Sequence, residues 1–408
     1  MSLENGRTQG PPARRLWSRL LAAAALTLTP ALVGTAGAEE LTLADPPAAP
    51  AAYLDGLAQA APGLDRSPVL GEGPAVALLD VAPWPGRALG PARPAAEVEL
   101  AALSLGKIVS GLPWHSGASC SDSTFETWRK RKLDEADFGA NHPTWDVWLS
   151  KLQAPEFKAS MAVSPQPVIA LAMFPKSVPK QYANCASGKF DSYLRQVGGI
   201  LKAQGAVSNG RHAILRLGWE ANIGSGSHPW GVDTTADASG YVACYRHWVT
   251  VLRPILPGVM FEWTNAKVSH LPGSPYLTYP GDSYADLWGL HYYDAGGQFH
   301  TQALWSAYYN STYKGGPQGL GSWLKAAAAA GKRLGVPEWG VRRPDLVTDP
   351  KPSDDPFYIQ QMFNTFKTNS KTIAYENYFN CYDRHRIFPD TLFPKASAQY
   401  RKLWSAGP

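Results

Sequence analysis

The sequence predicts a (β/α)8 barrel, on three observations. Strand-like and helix-like runs alternate strictly from about residue 103 to the end of the 408-residue chain. Eight of the strand-like runs fit into that span, the number a closed α/β barrel needs. The main rival is a doubly wound open sheet, but no Gly-x-Gly-x-x-Gly follows an early strand. With 45% hydrophobic residues the chain can bury a core of the required size.

The strand-like runs are "GKIVSG" (106–111), "KLDEADF" (132–138), "PVIALAM" (167–173), "HAILRLGWE" (212–220), "VMFEWTN" (259–265), "DLWGLHYY" (286–293), "RLGVPEWG" (333–340) and "TIAYENYFN" (372–380). Most are short apolar runs bounded by turn residues, as strands buried on both faces should be. Between them, helical periodicity runs through "TWDVWLSKL", "DSYLRQVGGILKAQG", "ASGYVACYRHWVTVLRPIL", "GLGSWLKAAAAAG", "PFYIQQMFNTFKT" and a final "ASAQYRKLWSA".

Residues 1–38 have the parts of a secretory signal peptide: a basic start, the apolar run "LLAAAALTLTPALV" and the small residues Ala36–Ala38 before Glu39. A membrane anchor is the alternative, but that run is short for a span and contains Pro30. Residues 39–102 are rich in Ala and Pro and read as a linker or extension, leaving 103–408 as the catalytic domain. Removing the four arginines and one glutamate of the leader from 38 basic and 33 acidic residues leaves 34 against 32. That balance gives no support for a nucleic-acid partner. The four cysteines, Cys120, Cys185, Cys244 and Cys381, fit an oxidising destination. None has C-x-x-C spacing, so zinc is disfavoured, and three pairings remain open.

Active sites of such barrels lie at the C-terminal ends of the strands. Glu220 closes the fourth run and Glu338 the seventh, on opposite sides of an eight-stranded barrel. Two opposed carboxylates are the minimum apparatus of glycoside hydrolysis, provided that their environments set their protonation apart. Trp219 is expected to help by desolvating Glu220. Arg216, on the same strand face as Glu220, is expected to hold Glu338 ionised. Asn222 is either a sugar ligand or a turn former. Trp114, Trp219, Trp230, Trp263 and Trp339 lie near strand ends, where indoles stack on sugar rings. His115 and His228 are candidate subsite contacts. Trp128, Trp145, Trp148, Trp248, Trp288, Trp305, Trp323 and Trp404 are expected in the core.

The runs "RLGWEAN", "HPW", "FEWTNA", "YPGDSYADLWGLHYYD" and "GVPEWG" together resemble glycoside hydrolase family 26 and the retaining (β/α)8 glycosidase clan to which it belongs, over roughly residues 103–405. The resemblance implies that Glu220 is the acid/base, Glu338 the nucleophile, and Tyr293 the phenol that orients the nucleophile. Arg216 and Glu220 match the ends of the family's Arg-x-x-His-Glu pattern, with Trp219 in the His position. His291 stands where an acidic residue is common, and is a further substrate-binding candidate.

These readings predict a secreted, monomeric, retaining endo-β-glycosidase without cofactor or metal, acting on β-mannan-like, β-glucan or exopolysaccharide chains. A non-catalytic barrel that binds carbohydrate is the alternative. No histidine cluster suggests a metal hydrolase, no strand-end lysine stands out for an aldolase, and no Gly-x-Ser-x-Gly elbow occurs. If the strand count holds, barrel neighbours favour Cys120 with Cys381 and Cys185 with Cys244.

Overall fold

The computed structural model describes residues 105–140, 142–208, 211–343 and 354–407. The expected leader and the Ala/Pro-rich stretch lie outside these residues. Eight strands form one parallel sheet: β1 (His115–Ser119), β2 (Glu135–Ala140), β3 (Gln166–Leu171), β4 (Ile214–Leu217), β5 (Met260–Ala266), β6 (Leu287–Ala295), β7 (Leu334–Arg342) and β8 (Ile373–Phe379). The sheet runs β2-β3-β4-β5-β6-β7-β8-β1. The seam between β1 and β2 is bridged by the Asp134 N–H, which donates to the Ser116 carbonyl at 2.9 Å. Asp134 Oδ2 also accepts from the Ser116 N–H at 2.9 Å, so one residue, through its backbone and its side chain, seals both directions.

Outside the barrel lie α1 (Ser123–Arg129), α2 (Trp145–Gln153), α3 (Pro155–Met161), α4 (Tyr182–Ala186), α5 (Asp191–Ala203), α6 (Thr235–Leu252), α7 (Gln302–Tyr309), α8 (Leu320–Ala329), α9 (Pro356–Thr368) and α10 (Pro394–Ala406). Their ends follow local chemistry. Thr234 and Asp237 form a reciprocal capping box at the start of α6, and Pro356 and Pro394 open α9 and α10 where their missing N–H costs nothing. Two apolar shells join helices to strands. One gathers Trp148, Leu194, Trp248 and the outward residues of β3 and β4, and the other gathers Trp263, Trp323, Phe366 and Trp404 around β5 to β8.

Successive strand residues alternate between this shell and the barrel interior. Val168, Ile214, Met260, Leu287 and Tyr375 fill the interior at its N-terminal end. Above them the interior turns polar, with Glu262 accepting from Thr264 Oγ1 at 2.6 Å and from Tyr375 Oη at 2.7 Å. Gly289 and Gly335 make room for it, because a Cβ at either would stand 2.2 Å and 2.4 Å from its carboxylate oxygens.

One strand expectation is corrected. Residues 106–111 form no strand, and β1 is the "HSGAS" run that follows. The earlier segment gives its Val109 and Ser110 N–H groups to Asp134 instead of to a ladder. The true strand places His115 and Gly117 toward the interior and so lacks an apolar inner face. The disulfides pair Cys120 with Cys381 and Cys185 with Cys244, each with a Cα–Cα distance of 5.2 Å. No helix among the described residues is long and apolar enough to cross a membrane.

Candidate active site

At the C-terminal mouth, β4 ends in a turn that carries Glu220 in the left-handed region, at φ 54° and ψ 29°. A non-glycine residue there is uncommon and costs about 1–3 kcal/mol. The surrounding bonds hold it: the Glu220 N–H donates to the Thr264 carbonyl on β5 at 3.0 Å. Opposite it, β7 carries one residue more than β6 between the pairs Gly335–Gly289 and Glu338–His291. This bulge reverses the facing of the strand. Gly335 and Glu338 both point inward, while Val336 and Trp339 both join the outer shell.

Both carboxylates reach a single imidazole. His291 Nδ1 lies 2.7 Å from Glu220 Oε1, and its Nε2 lies 3.5 Å from Glu338 Oε1. Arg216, wholly buried, also hydrogen-bonds Nε2, and a guanidinium can only donate. His291 thus faces Arg216 with Nε2 and Glu220 with Nδ1. Arg216 further donates to Glu338 Oε1 at 2.8 Å and to Asp137 on β2. Tyr293 Oη donates to Glu338 Oε2 at 2.9 Å.

These contacts set the charges. Burial pushes the Glu220 pKa up, but His291 and then His228, whose Nε2 is 3.1 Å from Glu220 Oε2, outweigh it and hold the carboxyl well below the usual range. Burial opposes the charge on Arg216, yet Asp137 and Glu338 hold it firmly protonated. Burial lifts Asp137 to about 6 against the pull of Arg216. Burial and the neighbouring Glu338 keep the Tyr293 phenol protonated, and thus a donor.

The structure brings Arg216, Glu220, His291, Tyr293 and Glu338 together and separates several other candidates from them. Trp114, Trp230, Trp263 and Trp339 are each 1% exposed or less, so they have no face to offer a sugar. Trp263 and Trp339 alternate with the inward residues Glu262 and Glu338, which turns the indoles to the helices. Trp114 precedes β1 at the far end of the barrel and points its Nε1 at Glu376. Trp230 stacks on His228, with ring centroids 4.9 Å apart. Trp219 is 9% exposed and packs edge-on against both of those rings. It thereby packs against the His228 that lies 3.1 Å from Glu220.

His115 is also displaced from the mouth. It opens β1 at the N-terminal end, 2.9 Å from Glu135, and burial lowers its pKa to about 4. Asn222 is buried and serves the backbone: its amide donates to the Ala266 and Val268 carbonyls at 2.8 and 3.0 Å and accepts from the Ala266 N–H. It therefore clamps the β4 turn to the end of β5. The residue types alone did not disclose Asp137 or the ring pair Phe379 and His385, which packs against Tyr293 at 5.8 and 5.0 Å. Asp137 had a signal, since Glu135 and Asp137 are two acids on one strand face.

No protein-family model and no curated protein sequence matches this chain. Among solved structures, it is similar in fold to the catalytic domain of a Bacillus sp. JAMB-750 GH26 endo-β-1,4-mannanase. That match has 16% identity and a TM-score of 0.50, over 72% of this chain and 87% of that one. GH26C from Muricauda sp. MAR_2010_75 matches at 14% identity and TM-score 0.51, over 76% and 88% of the two chains. A modular endo-β-1,4-mannanase from Cellulomonas fimi matches at 16% and 0.50, over 72% of each. At these identities the likeness is one of fold.

Proposed function

We propose that this chain is a retaining glycoside hydrolase that cleaves a β-linked polysaccharide internally, with Glu220 as acid/base and Glu338 as nucleophile. The observation that carries this reading is the single imidazole shared by carboxylates from β4 and β7. Facing one ring puts both carboxylates in one cleft, as an acid/base and a nucleophile acting on the same sugar must be.

In the first step a Glu338 oxygen attacks the anomeric carbon, the glycosidic C–O bond breaks, and Glu220 gives its proton to the leaving oxygen. In the second, Glu220 takes a proton from water, whose oxygen displaces Glu338 and frees the sugar. Arg216 and Tyr293 aim Glu338 by donating to its two carboxylate oxygens. Because the two histidines favour the Glu220 carboxylate, its acid form depends on a proton shared across the His228–Glu220–His291 cluster. Mannans, glucans and bacterial exopolysaccharides are the candidate substrates. The two disulfides suit an oxidising compartment, and the leader-like residues 1–38 make secretion the expected route.

Incubating the protein with mannans, glucans, xylans and exopolysaccharides and sizing the products tests this reading. Glu338→Ala is expected to abolish turnover while polysaccharide binding persists, and Glu220→Gln to lower kcat by about 10²–10⁴. Cleavage by Glu338→Ala at the parent rate, or no products from any polymer, would overturn it.

A further inference from the structure

With four strand-end indoles buried, the apolar face that a sugar ring needs must come from elsewhere. Among the described residues the exposed large apolar side chains are Val109, Val147, Val163, Tyr308, Tyr382 and Leu392. Only two are aromatic. Tyr308 is 37% exposed on α7 and packs against Phe299. Tyr382 is 70% exposed and lies just past the C-terminal end of β8, on the side of the barrel where Glu220 and Glu338 stand.

A line of rings connects Tyr382 to the reacting centre. Its ring centroid is 6.1 Å from that of Phe379, which is 5.8 Å from the ring of Tyr293, whose hydroxyl is on Glu338. The residue is also held in place. Its backbone is left-handed at φ 58°, where glycine would sit without strain. Its carbonyl accepts from the His385 and Arg386 N–H groups, and the preceding Cys381 is bonded to Cys120. Asp383 and Arg386, paired at 2.6 Å beside it, offer acceptors and donors to sugar hydroxyls. A flat apolar face with polar groups at its edge matches a pyranose, whose C–H faces are apolar and whose rim carries hydroxyls.

We propose that Tyr382 is a stacking platform for a sugar unit of the polysaccharide next to the one attacked by Glu338. This rests on the glycosidase reading for the identity of the ligand as carbohydrate, but it requires binding and not turnover. The test is affinity electrophoresis of the full chain carrying Glu338→Ala, in gels containing konjac glucomannan, barley β-glucan or xylan. Retardation in at least one gel is expected. Adding Tyr382→Gly should weaken it about tenfold, while adding Tyr382→Phe should preserve it.

The thermal midpoint of the Tyr382→Gly protein is expected to stay level or rise, because the left-handed backbone relaxes. A purely structural tyrosine would lower it. Retardation unaltered by Tyr382→Gly, or absent from all three gels, overturns the proposal. If the parent chain releases no products while Glu338→Ala still binds through Tyr382, the hydrolase reading falls and the platform stands.

Discussion

Glu220 sits between two histidines that do different things. His291 comes from β6 and is held between Arg216 on one ring nitrogen and Glu220 on the other. His228 comes from the β4 loop and is steadied by Trp230 and Trp219. Removing His228 takes away one of the two groups that favour the carboxylate, so the Glu220 pKa must rise. His228→Ala is therefore expected to move the alkaline limb of the kcat/KM profile to higher pH, and an unmoved limb would show that His228 does not tune the acid. At this scale the sequence disclosed the charged residues, because Glu220, Arg216 and Glu338 are costly to bury without a purpose. It did not disclose what Trp219 and Asn222 do. Both stand beside Glu220 in the chain, but one supports a histidine and the other ties two turns together.

Elements explain the misplaced tryptophans. A residue next to an inward glutamate on a strand must face outward, so proximity in sequence to Glu338 puts Trp339 on the helix side. The β7 bulge is harder to read from sequence. Counting by twos from Gly335 would turn Glu338 to the helices, and only the extra residue brings it back. Strand runs with continuous apolar character were legible, because burial on both faces leaves that pattern. β1 was not, since its inner positions are His115 and Gly117. The interior also constrains its glycines. Gly335→Ala would place a Cβ 2.4 Å from Glu262 Oε2 and 2.6 Å from the Tyr375 ring. A loss of about 1–3 kcal/mol is expected in a chemical denaturation curve.

For the whole molecule, buried carboxyls set the pH response. Burial raises Asp137 to about 6, and Asp294 and Glu376 each to about 7. A carboxyl with a folded pKa above its unfolded value holds its proton more tightly in the native state. Its stabilisation is present at low pH and lost as pH rises from about 4 to about 7. His115, lowered to about 4 by burial, and His142, lowered for the same reason, act oppositely, but they are two groups against five, since burial also raises Glu135 and Glu262. Glu220 acts only below the ordinary carboxylate range. The thermal midpoint is thus expected to fall by several degrees from pH 5 to pH 7.5, and Glu376→Gln to flatten the slope. A midpoint that climbs over that interval would contradict the assignment. The barrel itself was legible at this scale, because alternation and length constrain it more tightly than any single residue does.

The Cys120–Cys381 bond joins the turn after β1 to the turn after β8, across a sequence separation of 261. Because the sheet order brings those two strands together, the bond makes most of the barrel a covalent ring. A protease that cuts once anywhere inside that ring leaves both pieces attached, and the broken ends need only stay near each other for the mouth to keep its shape. Where proteases are present, a nick in a surface loop becomes a survivable injury.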